Sequence, residues 1–165
     1  PDYDSDAQTA LSAFGQASDR VTPLQMAMVS AAIGNRGVVM KPTLVQSVTA
    51  PDLTPVQEFQ AQQYGQAISE ETASTMTQLM VQDVANGAAS NARIGGVPVG
   101  GKTGTAENGP KAPYTLWFTG FAPADNPKVA VAVVLENGGG IGRRGYGNLL
   151  AAPIAKKVME AVVSR

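Results

Sequence analysis

The residues best suited to chemistry lie in one short segment, Gly100-Gly101-Lys102-Thr103-Gly104-Thr105-Ala106-Glu107. It sets an ammonium group, two hydroxyls and a residue without a side chain side by side. In a β-strand, alternation directs Thr103 to one face and Lys102 with Gly104 to the other. Ammonium and hydroxyl groups hold carboxylates, and an edge strand binds an extended peptide through its main chain. The segment therefore predicts an acyl-transfer site that binds a peptide with a free carboxylate.

Composition excludes several other chemistries. The 165 residues contain no His and no Cys, so neither a Ser-His-Asp triad nor a Cys-His dyad is possible within them. Zinc ligands of the usual kind are missing too, and no Asp-rich calcium loop occurs, so we expect neither a metal nor a cofactor. The net charge of -1 argues against nucleic acid as a partner. No Ser-x-x-Lys motif occurs: Ser90-Asn91-Ala92-Arg93 is the nearest match, and Arg is not a base at neutral pH.

Two glycine patterns suggest nucleotide binding as an alternative. Residues 96–103 match the bare phosphate-loop spacing, but Pro98 lies inside the loop and a poor helix sequence follows it. Residues 140–145 match the dinucleotide fingerprint, yet no second parallel strand follows to complete the unit. We therefore expect neither a phosphate-binding loop nor a dinucleotide-binding site. We interpret 138–147 as a flexible connector. Within it, Arg143 and Arg144 are interpreted as solvated surface, with contact to an anion or a partner as the alternative.

The elements that must position the Lys102 segment are three strands and the helices around them. Helices are predicted over residues 7–13, 23–33, 69–86 and 149–163, with caps at Thr22 and Ser69. Strands are predicted over 97–106, 116–122 and 129–136, and residues 38–48 are extended apart from Pro42. Residues 49–68 read as a surface excursion with one short strand. The order predicts an α+β fold, an antiparallel sheet flanked by helices.

A family resemblance enters at Lys102-Thr103-Gly104-Thr105-Ala106-Glu107, which is similar to the third motif of penicillin-recognising serine acyl-transferases. This longer form resembles the penicillin-binding proteins more than the β-lactamases. The likeness extends over about residues 14–165 in the family's order. It includes Phe14-Gly15-Gln16, Val21–Ala27, Ala31–Gly37, Lys41-Pro42, Trp117–Pro123 and Ala151–Ile154. The chain resembles the C-terminal half of a class B transpeptidase domain, of the actinobacterial A type.

The resemblance implies a serine acyl-transfer enzyme that cross-links D-Ala-D-Ala stem peptides of peptidoglycan and that β-lactams acylate. In that scheme Lys102 supplies positive charge, Thr103 and Thr105 bind the substrate carboxylate, and Gly104 leaves room for the peptide. The backbone N–H of Thr105 is the expected oxyanion donor, a kind of group worth roughly 3–4 kcal/mol. Trp117 is assigned to the same substrate-binding set, with a place in the strand core as the alternative.

The resemblance also locates what this chain lacks, because the nucleophilic serine and the second motif lie upstream in the family. Residues 1–165 are therefore expected to be the C-terminal portion of one transpeptidase domain, and an upstream fragment is expected to carry the serine. The start at Pro1, without an initiating Met, is also interpreted as that of a processed or cut piece. The expected location is the extracytoplasmic face of the bacterial membrane, with the anchor elsewhere. The alternative is a non-catalytic penicillin-binding-like sensor or scaffold module.

Overall fold

The computed structural model describes residues 5–164, so Pro1–Asp4 and Arg165 of the predicted domain lie outside the described residues. Its helices are α1 (Asp6–Ser12), α2 (Pro23–Gly34), α3 (Glu70–Asn86) and α4 (Gly147–Val163). Its strands are β1 (Val38–Met40), β2 (Ser47–Thr49), β3 (Pro55–Glu58), β4 (Gln63–Gln66), β5 (Gly100–Ala106), β6 (Thr115–Ala122) and β7 (Val129–Leu135). Short 3-10 turns cover Ser90–Ala92, Asn137–Gly140 and Gly142–Arg144.

The central element is an antiparallel sheet in the order β5-β6-β7. One face carries Phe118, which is fully buried in a core shared with Met159 of α4 and Val84 of α3. The other face meets α2, where buried Ser30 bonds to Thr119. Helices therefore cover both faces of the sheet, and the predicted α+β arrangement is confirmed.

Local capping explains where two of the helices begin. Thr22 accepts from the Gln25 backbone N–H, and the Gln25 side chain accepts in return from the Thr22 N–H, which completes a capping box in front of α2. Ser69 accepts from the Thr72 N–H at the start of α3. Both caps agree with the sequence prediction. Helix α4 has no side-chain cap and begins at Gly147, two residues before the predicted start at 149.

The prediction of one short strand within residues 49–68 was wrong. This stretch holds both β3 and β4, and β2 ends in it at Thr49. The strands of this region pair in two antiparallel ladders, β1 with β4 and β2 with β3. The β2–β3 hairpin is exposed along its whole length, so it has no buried face to impose an apolar–polar alternation. The main-chain ladder, rather than burial, defines these strands.

The predicted strand 97–106 is shorter at its N-terminal end. Val97 forms an isolated bridge with Ile94, and β5 begins only at Gly100. Pro98 lies between Val97 and Gly100, and it has no N–H to donate to a neighbouring strand. Its carbonyl accepts from the Ala124 N–H, so the segment is tied to the β6–β7 turn.

Both nucleotide alternatives are excluded by the topology. The phosphate-loop pattern at 96–103 leads into a strand, not a helix. The fingerprint at 140–145 does precede α4, but the sheet beside it is antiparallel throughout. The connector 138–147, predicted to be flexible, contains two 3-10 turns. These turns bring it against residues 107–114, which connect β5 to β6.

Candidate active site

Strand β5 is an edge of the central sheet within the described residues, since it pairs with β6 alone. Its outer side is identified by Gln16, whose Nε2 donates to the Thr105 carbonyl at 3.3 Å. The Glu107 N–H donates to Gln16 Oε1, also at 3.3 Å. In an antiparallel ladder a residue sends its N–H and C=O to the same side. The Thr105 N–H therefore also points to this outer edge, as an oxyanion donor must.

Lys102 reaches the same edge. Its Nζ donates to the Thr103 carbonyl at 3.0 Å and lies 3.9 Å from Asp83 Oδ2 of α3. The Lys102 side chain is 62% exposed, so one N–H direction stays open to an incoming anion. Asp83 itself is fixed, because its Oδ1 accepts from the Ala88 N–H at 2.9 Å. The ammonium is thus held beside the strand edge without being enclosed.

The two threonine hydroxyls lie on the face that α4 covers. Thr103 Oγ1 is 3.5 Å from the Ala88 carbonyl. Thr105 Oγ1 accepts from the Gly147 N–H, the first residue of α4, at 3.4 Å. Because that hydroxyl accepts from α4, its own proton remains available to a carboxylate. The N-terminal end of the helix dipole adds positive potential there.

The register confirms the alternation predicted for the segment. Lys102 pairs with Thr119 and Gly104 with Trp117, so these four share the face toward α2, opposite to Thr103. A Cβ on Gly104 would lie 3.2 Å from Trp117 Cβ, so here the glycine lets the strand lie close against the tryptophan. Trp117 is half-buried. Its roles as groove wall and as strand core both fit this position, and its substrate contact stays a prediction.

Three residues contribute to this site without having been predicted as site residues, although Gln16 was named within the Phe14-Gly15-Gln16 resemblance. Gln16 lies 89 residues from Thr105, and Asp83 belongs to a helix predicted only for its packing face. Ser30 is fully buried and lies 2.6 Å from Thr119 Oγ1, which also donates to the Met26 carbonyl of α2. The one signal for Ser30 was a hydroxyl inside an apolar helical run. These contacts connect the segment after α1, and helix α3, to β5, and they connect α2 to β6.

Comparison with known proteins identifies this arrangement. The family model "penicillin binding protein transpeptidase domain" matches residues 1–160. The chain belongs to this transpeptidase family. It is 40% identical over 162 residues to the peptidoglycan D,D-transpeptidase PbpA of Mycolicibacterium smegmatis, covering 95% of this chain and 32% of that protein. It is 36% identical to the stage V sporulation protein D of Bacillus subtilis, with 92% and 24% covered.

Solved structures agree. Penicillin-binding protein A of Mycobacterium tuberculosis, as its ceftriaxone acyl-enzyme complex, superposes with a TM-score of 0.92 at 38% identity, covering 99% of this chain and 37% of that one. The predicted transpeptidase fold and the likeness to the actinobacterial A type are confirmed. The chain spans about a third of the length of these relatives.

The Lys102-Thr103-Gly104 strand resembles the Lys-Thr-Gly motif of penicillin-binding proteins, and its role as the third motif of this family stays a prediction. Ser90 is the nearest match to a nucleophile motif, and both its hydroxyl and its carbonyl accept hydrogen bonds. Its Oγ accepts from Asn148 Nδ2 at 3.2 Å, and its carbonyl accepts from Arg93 Nε at 2.9 Å. The guanidinium of Arg93, three residues after Ser90, therefore bonds to the main chain and not to the Ser90 hydroxyl. Over residues 5–164 no cluster of His, Cys, Asp or Glu fit for a metal occurs.

The described helices do not include one long and apolar enough to cross a bilayer.

Proposed function

We propose that this chain supplies the substrate-binding strand of a peptidoglycan D,D-transpeptidase that β-lactams acylate. The observation that carries the proposal is the outer edge of β5, where the Thr105 N–H and the Lys102 ammonium converge. The carboxylate of the stem peptide would bind Thr105 and Thr103 by hydroxyl, next to Lys102. The peptide itself would pair with the main chain of the edge, the mode known as β-strand addition.

The reaction needs a serine from outside this chain. The serine oxygen attacks the carbonyl of the penultimate D-Ala, and the terminal D-Ala leaves with the proton on its amine. An ester joins enzyme and peptide, with its carbonyl oxygen held by the Thr105 N–H. The amine of a second stem peptide then attacks the ester. A new amide forms, which is the cross-link, and the serine regains its proton.

We further infer that residues 1–165 form the C-terminal portion of one transpeptidase domain. Large apolar side chains on α2, such as Leu24 and Val29, are 57% and 50% exposed, as expected for a surface that another part of a domain covers. Strand β7 pairs with β6 alone in the described residues, which leaves a second edge for that part. Peptidoglycan as substrate implies a position at the extracytoplasmic face of the membrane.

The test is intact mass spectrometry of the full protein, cleaved ahead of residue 1 after exposure to a labelled penicillin. We expect one adduct on the upstream portion and none on this chain. An adduct on residues 1–165 would disprove the companion serine. No adduct on either portion would favour the non-catalytic sensor or scaffold.

A further inference from the structure

The loop between β5 and β6, residues 107–114, continues the substrate-binding strand beyond its motif. It is called the β5–β6 loop below. Arg143, from the 3-10 turn before α4, is the side chain that holds it. Its Nη1 donates to the Pro110 carbonyl, and its Nη2 donates to the Tyr114 hydroxyl at 2.8 Å. The guanidinium carbon lies 4.9 Å from the centroid of the Tyr114 ring. One side chain thus makes two hydrogen bonds and a cation–π contact with the loop.

The other hydrogen bonds of the loop are internal or lie at its two ends. Asn108 Nδ2 donates to the Pro113 carbonyl at 2.8 Å and to Thr115 Oγ1 at 3.0 Å, so Asn108 folds the loop on itself. The Gly138 N–H donates to the Tyr114 carbonyl at 2.7 Å. Gly138 and Arg143 belong to the same connector, and Arg143 alone reaches as far as Pro110. The loop tip therefore depends on Arg143 for its position.

The loop borders the site because it starts where the edge of β5 ends. The Glu107 N–H is the last main-chain group of the edge that Gln16 engages. From there the chain turns through Gly109 and Pro110 toward Arg143. The loop therefore adjoins the end of the edge at which a docked peptide would pass the Thr105 N–H.

We propose that Arg143 is a positioning residue for substrate binding: it holds the β5–β6 loop in place so that the far wall of the peptide groove exists before the ligand arrives. This rests on the proposed function of the β5 edge. Arg143 touches neither substrate nor reacting atoms. It acts through Pro110 and Tyr114, and its loss is expected to weaken non-covalent binding more than the acylation step.

Arginine fits this place better than lysine. Its planar guanidinium donates in two directions while stacking on a ring, which a lysine ammonium on a flexible stem does not reproduce. The neighbouring Arg144 is exposed and makes no side-chain hydrogen bond or ion pair among residues 5–164. It carries the same charge one residue away, so Arg144→Ala is the matched control for charge and for local sequence.

The experiment compares Arg143→Ala, Arg143→Lys, Tyr114→Phe and Arg144→Ala in the full protein. Two quantities are measured: hydrogen exchange of residues 107–114, and penicillin acylation over a range of concentrations, which separates the binding constant from the acylation rate constant. Arg143→Ala removes two hydrogen bonds and a cation–π contact that order the loop before the ligand arrives, so the loop must then be ordered as the ligand binds, and we expect binding to weaken roughly tenfold. In Arg143→Ala, hydrogen exchange of residues 107–114 should become faster, while the acylation rate constant should change little.

Arg143→Lys and Tyr114→Phe should fall between wild type and Arg143→Ala in both readouts, and Arg144→Ala should match wild type. A loop that loosens without weaker binding would overturn the positioning role. Weaker binding with an unchanged loop, or equal effects of Arg143→Ala and Arg144→Ala, would overturn it as well. Failure of the wild-type protein to react with penicillin would instead disprove the proposed function, while the exchange data would still report on the contact itself.

Discussion

At Gly147 helix α4 packs closely against β5, the strand proposed to bind the substrate, so Gly147→Ala perturbs the candidate site directly. A Cβ at this position would fall well inside contact distance of the Trp117 carbonyl, 2.9 Å from the Gly104 carbonyl and 3.1 Å from Thr103 Cβ. Two of these three are main-chain atoms of the sheet, which cannot rotate away. The start of α4 must therefore move back from β5, and the Gly147 N–H must leave the Thr105 hydroxyl.

The expected loss of stability in Gly147→Ala has two sources, overpacking and a lost hydrogen bond. Overpacking of this kind costs about 1–3 kcal/mol. The lost hydrogen bond adds about 0.5–1.5 kcal/mol. At roughly 2–4 °C per kcal/mol for a domain of this size, the melting temperature should fall by about 3–18 °C. The misplaced Thr105 hydroxyl should slow penicillin acylation by up to about a hundredfold.

The assay measures the second-order acylation rate constant by intact mass, alongside thermal unfolding, in the full protein. Gly65→Ala is the control, because a Cβ on Gly65 meets nothing within 4 Å. It should leave both quantities near their wild-type values. If Gly147→Ala acylated at the wild-type rate with an unchanged melting temperature, the close contact between α4 and β5 would be refuted.

Three further changes test other parts of the structure. Ser30→Ala removes the buried bond to Thr119 and should lower the free energy of unfolding in urea by about 1 kcal/mol. Phe118→Ala should lower it by about 3–5 kcal/mol, since Phe118 is fully buried in the core under the sheet. Hydrogen bonds from the side chain and the backbone of Thr54 hold the pKa of Asp52 below its ordinary value, so this turn should be best ordered above the usual Asp pKa. Its order should decline as pH falls through the lowered pKa, as followed by the Thr54 amide resonance, and Asp52→Asn should abolish that dependence.

The parts of the fold that the sequence predicted are those decided by local chemistry. Thr22 and Ser69 cap helices through side chains that bond within their own first turn, so a short stretch of sequence contains the signal. Strands β6 and β7 were predicted nearly to their ends because they are apolar and flanked by turn residues. By contrast, β2 and β3 are fully exposed, and their pairing depends on main-chain bonds that leave no apolar pattern.

Some residues of the candidate site could likewise be predicted from the sequence, and others could not. Lys102, Thr103 and Thr105 could be picked out because they form a contiguous motif. Gln16 could not, because its two bonds to β5 join residues about ninety positions apart and depend on how the chain folds back. Arg143 was read as solvated surface, since no pattern in the sequence pairs it with Tyr114.

The position of the acyl group at the outer edge of β5 can be tested through the amide resonance of Thr105 in the full protein, labelled with ¹⁵N, before and after acylation by penicillin. We predict that this N–H donates to the ester carbonyl oxygen in the acyl-enzyme. Its proton should shift downfield and exchange more slowly, while the amide of Gly65 stays unchanged. An acyl-enzyme that forms in full with the Thr105 amide unmoved would show that the outer edge of β5 is not where the acyl group is held.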